Sequence, residues 1–230
     1  MKSKFDGLIN WTQHQLYRLD FVDQALPSEF AEQGGKAELA LKSYFLRGPK
    51  GTQAKFAHLF GPRAEILNAM FYPVNAGQVP VFAVELILFG KQPRVGVVDL
   101  QAVSGIHHSG QFGLEIDEAL LPLAQRYGSR LTGGGELPEW ALEHFTKHCI
   151  YSRPDSMQEL PILIQAYRAY FRTWSQRFLP RESVQKSCYE ELAGYQSHHV
   201  ANTPGRRYLH TSFGTEWTER YLAEFMYCAQ

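Results

Sequence analysis

Three strongly apolar runs in the first half of the chain each carry one polar residue that their pattern does not predict. Asn68 interrupts Ile66–Tyr72, Glu85 interrupts Val79–Phe89, and Asp99 lies near the end of Val95–Leu100. Runs of this length, separated by turn residues, predict consecutive β-strands. If both sheet faces are covered, the Glu85 carboxylate is buried, which is costly unless it is hydrogen-bonded, paired or protonated. Glu85 is therefore a candidate functional residue.

The hairpin between the first two runs decides which residues face each other. Connections between successive strands are short, which favours antiparallel hairpins over parallel crossovers. Paired residues in such a hairpin have a constant index sum, and pairing Tyr72 near Val81 places Asn68 directly opposite Glu85. A slip of one residue in register would instead keep these two apart. His58, near the end of the preceding predicted strand, is a candidate for the same face.

The remaining pattern places strands early in the chain and helices late. An amphipathic helix over residues 5–19 and strands over Ala37–Arg47 and Thr52–Phe60 precede the three runs. Helices are predicted near Leu114–Tyr127, Pro138–His148, Met157–Phe178, Glu182–Gln196 and Thr215–Cys228. Strands that are apolar on both sides need cover on both faces. The predicted fold class is therefore α/β, a three-layer α/β/α sandwich with a central antiparallel β-sheet, in one domain over residues 1–230.

Charge and composition narrow the classes of function. The chain has 23 Lys+Arg and 23 Asp+Glu, so no net charge attracts nucleic acid or an anionic membrane. No apolar run is long enough for a membrane span, and the first residues lack a signal-peptide cleavage pattern. Three unclustered cysteines indicate reduced thiols in the cytoplasm rather than a disulfide framework. The aromatic content of 13% suits either a pocket for a large flat ligand or an aromatic core. The expected oligomeric state is a monomer.

Signatures of the common catalytic and metal sites are absent from the sequence or weak. The chain has no P-loop, dinucleotide-binding turn, nucleophile elbow or reactive-cysteine signature. His144 and His148 have the spacing of two metal ligands on a helix, but no third ligand accompanies them. A solvated helix face is the favoured interpretation, and no metal site is predicted. The pairs His107-His108 and His198-His199 are expected at the surface.

Three separated segments resemble one known family. They are EILNAMFYPVNAGQVPVFAVELILFGKQPRVGVVDLQ, CIYSRP at Cys149–Pro154, and NTPGRRYLHTSFGTEWTERYLAEFMY at Asn202–Tyr227. They occur in the order found in the ferredoxin-dependent bilin reductases. This resemblance implies an α/β/α sandwich around an antiparallel sheet and reduction of biliverdin or a related bilin. It also implies electrons supplied by ferredoxin and no bound metal or organic cofactor.

The resemblance assigns roles to individual positions. Glu85 falls where the family has its central proton-donating aspartate, so the carboxylate is kept on a side chain one methylene longer. Asn68 matches a position that is histidine in the phycocyanobilin-forming branch and asparagine in the phycoerythrobilin-forming branch, to which this chain is more similar. Thr203, after Asn202, falls where many members have a second aspartate, and it cannot supply an equivalent acid. His58 falls near a glutamate of one branch.

The resemblance also implies which residues hold the bilin and dock the electron donor. The residues expected to contact the bilin are His58, Ser152, Arg153, Asn202, Thr203 and Arg207. Arginines suit this role because a guanidinium binds a propionate carboxylate through paired hydrogen bonds. A basic patch of Arg153, Arg206 and Arg207 is expected to dock ferredoxin. Because a buried carboxyl has a raised pKa, Glu85 is suited to protonating a bilin radical near neutral pH.

Three hypotheses about function follow. The leading one is ferredoxin-dependent reduction of biliverdin by sequential electron and proton transfers. Thr203 in place of an acid favours a two-electron reduction to a dihydrobiliverdin, with a four-electron reduction to a phycobilin as the alternative. The second hypothesis is a non-catalytic bilin-binding protein, which Glu85 and Thr203 would permit. The third is a reductase of another open-chain tetrapyrrole, such as a chlorophyll catabolite.

Overall fold

The centre of the computed structural model is an antiparallel sheet whose strands mostly follow one another along the chain. The structure describes residues 3–74, 78–90, 92–103, 110–181 and 189–228. Among these residues the sheet has eight strands, which are β1 Val22–Asp23, β2 Glu32–Gly34, β3 Ala40–Arg47, β4 Gln53–Phe60, β5 Ala64–Tyr72, β6 Val81–Phe89, β7 Gln92–Gln101 and β8 Ile150–Ser152. Their order is β1-β3-β4-β5-β6-β7-β8, and β2 also pairs with β3.

Helices cover both faces of this sheet, which confirms the predicted α/β fold class. In the described part of the chain they are α1 Asp6–Tyr17, α2 Ser28–Ala31, α3 Gln111–Gly128, α4 Leu160–Thr173, α5 Tyr189–Asn202, α6 Arg206–Phe213 and α7 Thr215–Arg220. Two of them continue as π-helical turns, α4 through Trp174–Phe178 and α7 through Tyr221–Met226. None of the described helices combines the length and the apolar character that crossing a membrane requires.

The two sheet faces have separate hydrophobic cores because side chains alternate along each strand. One face packs on α1, α3 and α4 around buried rings such as Phe71, Phe82 and Trp174. The other face packs on α5 and the π-helical turn after α7, with Tyr195 and Phe225 among its buried residues. We call this second face the cavity face, because its covering helices leave open space above the sheet.

The predicted helix over Pro138–His148 is wrong. The structure has only a 3₁₀ turn at Glu139–Ala141 in this segment. The backbone N–H of Thr146 donates to Asp99 Oδ2 over 2.8 Å, and the Thr146 hydroxyl donates to Asp99 Oδ1 over 2.6 Å. These bonds tie the segment to β7, so the backbone N–H of Thr146 is not available for a helical hydrogen bond. Periodicity alone cannot show such a partner.

The other predicted helices and strands agree with the structure to within a few residues at most of their ends. Part of one predicted helix lies outside the described residues. Residues 182–188 of the helix predicted over Glu182–Gln196 lie outside the described residues, as does the His107-His108 pair. The described part of this helix, α5, extends to Asn202, beyond the predicted end. The long strands β3 to β7 all overlap predicted strands.

Glu65 at the start of β5 fastens the N-terminus of α1 to the sheet. Its carboxylate accepts hydrogen bonds from the Ser3 hydroxyl at 2.5 Å and from the backbone N–H groups of Lys4 and Phe5 at 2.9 and 3.0 Å. His58 Nε2 lies 3.0 Å from the same carboxylate. Burial alone would raise the pKa of Glu65, but these hydrogen bonds outweigh it and lower the pKa to about 2.

Candidate active site

The register of β5 and β6 sets Asn68 directly opposite Glu85, which confirms the predicted pairing. Ala57 of β4 and Val97 of β7 extend the same row across the sheet. Cross-strand partners project to the same side of a sheet, so Asn68 and Glu85 both reach the cavity face. Their neighbours in the row, Ala57 and Val97, have no polar side-chain atoms. Asn68 and Glu85 can therefore form hydrogen bonds only with each other or with groups in the space above the sheet.

Two adjoining cavities lie over this pair. The larger has a volume of about 400 Å³ and the smaller about 190 Å³. Both are lined by Asn68, Glu85, Ile87, Thr203, Pro204 and Tyr227. Aromatic side chains of Trp140, Phe145 and Tyr151 add to the wall of the larger one. The larger cavity falls in the size range of sites for small molecules and cofactors, and like them it has mostly apolar walls. An extended flat ligand in both cavities would therefore lie across Asn68 and Glu85.

The surroundings of the Glu85 carboxyl favour its protonated form more than water does. Burial raises its pKa above the usual range, and the hydrogen bond to Asn68 offsets part of that rise. The part of the side chain that remains exposed faces the two cavities. A ligand that displaced water from the cavities would raise the pKa further, because it would remove the remaining solvation of the charged form. Glu85 can therefore act as an acid toward a bound ligand.

Asn68 offers that ligand a hydrogen-bond acceptor. Its Oδ1 atom is buried and has no hydrogen-bond partner among the described residues. The amide bonds to Glu85 and to the hydroxyl of Tyr227, so Nδ2 is the atom that makes these contacts. Buried polar atoms almost always find a partner. The free Oδ1 in the cavity wall is thus matched to a donor on a ligand, such as a pyrrole N–H.

Tyr227 and Thr203 extend this polar group. The Tyr227 hydroxyl donates to Thr203 Oγ1 over 3.3 Å. Burial raises the pKa of Tyr227 to about 12, so the hydroxyl keeps its proton at neutral pH. Thr203 lies where the sequence resemblance expected an acid, and here a hydroxyl pair occupies that place.

Arg153 lies at the exposed edge of the larger cavity. Its guanidinium is 5.9 Å from the centre of the Tyr151 ring and donates to the Tyr151 hydroxyl over 3.2 Å. The ring holds the arginine in position beside the cavity while leaving it exposed to solvent. A guanidinium in this position can pair with a carboxylate of a bound ligand.

Comparison with known proteins identifies the family. A family model described as ferredoxin-dependent bilin reductase matches residues 10–227. The chain belongs to the ferredoxin-dependent bilin reductase family. The phycoerythrobilin:ferredoxin oxidoreductase of Synechococcus sp. (strain RCC307) is 28% identical over 171 residues. That alignment covers 70% of this chain and 64% of the relative, so the chain spans less than two thirds of that relative's length.

Other bilin reductases show similar relationships. The 15,16-dihydrobiliverdin:ferredoxin oxidoreductase of Gloeobacter violaceus is 24% identical, over 73% of this chain and 69% of the relative. Among solved structures, tomato phytochromobilin synthase in complex with biliverdin superposes with a TM-score of 0.84. The match covers 97% of this chain and 83% of the tomato chain at 16% sequence identity. It shows that the two proteins share a fold.

His58 does not belong to this site, so the prediction that it shares a face with Asn68 is wrong. It pairs with Leu67 in the β4–β5 register, while Ala57 pairs with Asn68. Its ring therefore points to the opposite side of the sheet, toward α1 and Glu65. The error came from the uncertain length of the turn between β4 and β5.

Three other residues expected to contact the bilin lie outside both cavities. Ser152 is buried, and its hydroxyl donates to the Thr132 carbonyl over 2.6 Å. Asn202 is exposed at the end of α5, where its amide donates to the His198 carbonyl over 2.9 Å. Arg207 is exposed on α6. Of the predicted contact residues, the structure thus brings Arg153 and Thr203 together with Asn68 and Glu85.

The histidines of the second half are arranged differently from the prediction. His148 faces Asp117 at 3.5 Å and does not approach His144 as a second ligand. Among the described residues, Glu143, His144 and His198 have possible ligand atoms within 4.8 Å of one another. His199 was expected at the surface but is only 4% exposed and lines the larger cavity.

Sequence reasoning missed several residues of the cavity wall. These are Gln101, Trp140, Phe145, Tyr151, His199 and Tyr227. Tyr227 closes the segment that carried the family resemblance, so its place in that segment was an available signal. Trp140 and Phe145 were hidden by the wrong helix prediction. The others became cavity residues only through long-range packing.

Proposed function

We propose that this protein reduces biliverdin with electrons from ferredoxin, with Glu85 as the proton donor and Asn68 as the residue that orients the bilin over it. One observation carries the proposal. The Glu85 carboxyl, whose pKa is raised, lies at the centre of the sheet and faces a cavity suited to a flat ligand. Beside it, Asn68 Oδ1 is a buried acceptor without a hydrogen-bond partner in the described residues. No bound cofactor is part of the proposal.

The reaction needs protons as well as electrons. Saturating one double bond of the conjugated pigment takes two electrons and two protons, and an iron–sulfur protein delivers the electrons one at a time. Each electron added to the bilin raises its affinity for a proton, and a buried acid can donate at that moment. Glu85, whose pKa is raised by burial, donates the proton that follows the first electron, regains one from solvent at the open edge of the cavity, and donates again after the second electron. The apolar walls keep water away from the radical itself.

The cavity matches the chemistry of a bilin. Its aromatic and apolar walls suit the faces of the pyrrole rings. Asn68 Oδ1 can accept from a pyrrole N–H, and Arg153 can pair with a propionate at the cavity edge. Asn202, Ser152 and His58 have no part in this proposal.

The product follows from the number of acids over the bilin. Glu85 is the carboxyl that both cavities share, and Thr203 supplies a hydroxyl where a second acid was expected. Glu136 also lines the larger cavity, but its side chain is exposed to solvent, so Glu85 is the acid that lies on the sheet beneath the pigment. One such acid favours a two-electron reduction at a single position. We therefore propose a dihydrobiliverdin as the product, rather than a phycobilin formed by four-electron reduction.

Anaerobic turnover tests this function. Purified protein is mixed with biliverdin, ferredoxin and a system that keeps ferredoxin reduced, and the products are separated by chromatography. We expect biliverdin to disappear and one dihydrobiliverdin isomer to accumulate. Biliverdin that binds stoichiometrically but stays unreduced would contradict the proposal and support a bilin-binding protein. Reduction of a different open-chain tetrapyrrole, with biliverdin left unbound, would contradict the substrate.

A further inference from the structure

We propose that Gln101 and His199 form a lactam subsite, which binds a terminal ring of the bilin and so fixes where the pigment lies relative to Glu85. The inference rests on the function proposed above and adds the determinant of regiospecificity. It is carried by two polar atoms in the wall of the larger cavity.

Both atoms are buried without a partner. Gln101 is 0% exposed and His199 is 4% exposed, and both side chains line the larger cavity. Within the part of the chain that the structure describes, Gln101 Nε2 and His199 Nε2 have no hydrogen-bond partner. A buried polar atom without a partner costs folding free energy. Two of them in one cavity wall indicate a ligand that supplies both partners.

One tyrosine holds the two side chains in place. The Tyr195 hydroxyl donates to Gln101 Oε1, which leaves the Nε2 group free to point into the cavity. His199 lies one helical turn after Tyr195 on α5, and the centroids of the two rings are 4.3 Å apart. The His199 ring also stacks on Tyr227, with centroids 5.6 Å apart and planes 13° from parallel. The two unpartnered nitrogens therefore belong to one fixed arrangement.

The chemistry of these nitrogens selects a lactam. An amide nitrogen such as Gln101 Nε2 can only donate. His199 is buried, and with the ring proton on Nδ1 its unpartnered Nε2 accepts a hydrogen bond. A lactam carries a carbonyl oxygen and an N–H side by side, which is the complement of this pair. An inner pyrrole has no carbonyl, and a propionate has no N–H.

The place of the subsite on the sheet lets it control which ring of the bound pigment lies over Glu85. Gln101 pairs with Val81 across β6 and β7, and Val81 is four residues from Glu85 along β6. That separation is about 13 Å along a strand. A pigment bound by one terminal lactam at Gln101 and His199 therefore has another of its rings over Glu85. Without this anchor the pigment could shift along the sheet and place a different ring over Glu85.

Substitution of each residue tests the subsite. Gln101→Leu removes the donor, and His199→Phe removes the acceptor while keeping an aromatic ring. We expect each variant to bind biliverdin roughly tenfold more weakly in an absorbance titration. We also expect chromatography to show a mixture of product isomers in place of one. Affinity and product pattern equal to those of the unmodified protein would overturn the proposal.

Two further experiments separate loss of the subsite from general damage to the fold: a control substitution on the opposite face, and a measurement on the unmodified protein. Thr12→Val removes a buried hydroxyl that bonds Tyr167 on the opposite face, and it should leave affinity and products unchanged. In unmodified protein labelled with ¹⁵N-histidine, the His199 ring signals should shift when biliverdin binds. Unshifted signals in a protein that binds and reduces biliverdin would overturn the lactam subsite alone. A protein that neither binds nor reduces biliverdin would overturn the proposed function as well.

Discussion

At the scale of single residues, the proton donor depends on how firmly its neighbours are held. Asn68 bonds Glu85 and the Tyr227 hydroxyl through one amide group, and Tyr227 in turn donates to Thr203. Tyr227 therefore positions Asn68, and through Asn68 it positions the acid. Small displacements of a reacting group reduce a rate strongly, because proton transfer needs close alignment. We therefore propose that Tyr227 positions Asn68 and Glu85 for the reaction.

Replacing Tyr227 by phenylalanine tests this role. The ring and its stacking on His199 remain, but the hydroxyl that anchors Asn68 is lost. We expect kcat for biliverdin reduction to fall about tenfold while KM changes little, since the cavity keeps its shape. Tyr167→Phe is the control, because it also removes a buried hydroxyl, one bonded to Thr12 on the opposite face. An unchanged kcat in Tyr227→Phe would remove Tyr227 from the positioning role.

The sequence allowed prediction of some of these residues and not of others, for physical reasons. Glu85 and Asn68 stand out because burying a polar side chain within an apolar strand costs free energy unless it finds a hydrogen-bond partner. Gln101 and His199 carry no such signal, because a polar residue at the end of a strand or helix is ordinarily solvated. Their burial results from packing of α5 on the sheet, which neither periodicity nor spacing records.

At the scale of elements, Glu65 joins β5 to the start of α1. Its pKa is lowered to about 2 in the folded protein, whereas an unfolded glutamate titrates near its ordinary value of about 4.3. A depressed folded pKa contributes stability that is present above the unfolded value and is lost as the pH falls through the folded value. The α1 attachment should therefore weaken between about pH 4.3 and pH 2.

Chemical denaturation across this pH range tests the attachment. We expect Glu65→Gln to lower the free energy of unfolding at pH 7 by about 2 kcal/mol, because it removes a carboxylate that accepts several hydrogen bonds. The difference between variant and unmodified protein should shrink as the pH is lowered to about 3. A difference that stays constant from pH 7 to pH 3 would show that ionisation of Glu65 does not stabilise the fold.

Strands and helices could be predicted where nearby residues alone decide the local structure. The strands β5 and β6 follow from apolar runs bounded by turns. Pairing Tyr72 near Val81 across their connection predicted Asn68 opposite Glu85, and the structure confirms this register over the alternative with a one-residue slip.

The helix predicted over Pro138–His148 fails because Asp99, nearly fifty residues earlier, binds Thr146. A bond between distant segments overrides a local periodicity. For the same reason the short strand β8 is defined by its pairing with β7.

At the scale of the whole molecule, net charge is zero, so any attraction for ferredoxin must come from a local patch. Of the arginines expected in that patch, Arg206 is engaged by Glu219 at 3.2 Å and by the Val200 carbonyl at 2.6 Å. Arg153 and Arg207 are exposed to solvent. We therefore propose that these two arginines guide ferredoxin toward the cavity.

Salt dependence of electron transfer tests this guidance. Exposed charges are screened over about 10 Å at 0.1 M ionic strength, so raising salt should slow turnover when ferredoxin is limiting. We expect Arg207→Gln to reduce both the rate and its salt dependence. Arg153→Gln should do the same at saturating biliverdin, a condition that is needed because Arg153 is also proposed to pair with a propionate. Arg126→Gln, a change on α3 against the opposite face, should leave both unchanged. Turnover that is insensitive to salt would contradict a charged docking patch.

The proton donated by Glu85 is the step on which the proposed mechanism depends. Glu85→Gln keeps the size and the hydrogen bonding of the side chain, so the protein should fold and bind biliverdin. After reduction by ferredoxin under anaerobic conditions, the bound pigment should stop as a radical that electron paramagnetic resonance detects. Glu85→Asp should retain part of the activity, because it keeps the acid, and Glu65→Gln at pH 7 should turn over like the unmodified protein. Product formation by Glu85→Gln at the unmodified rate, with no accumulated radical, would contradict the mechanism.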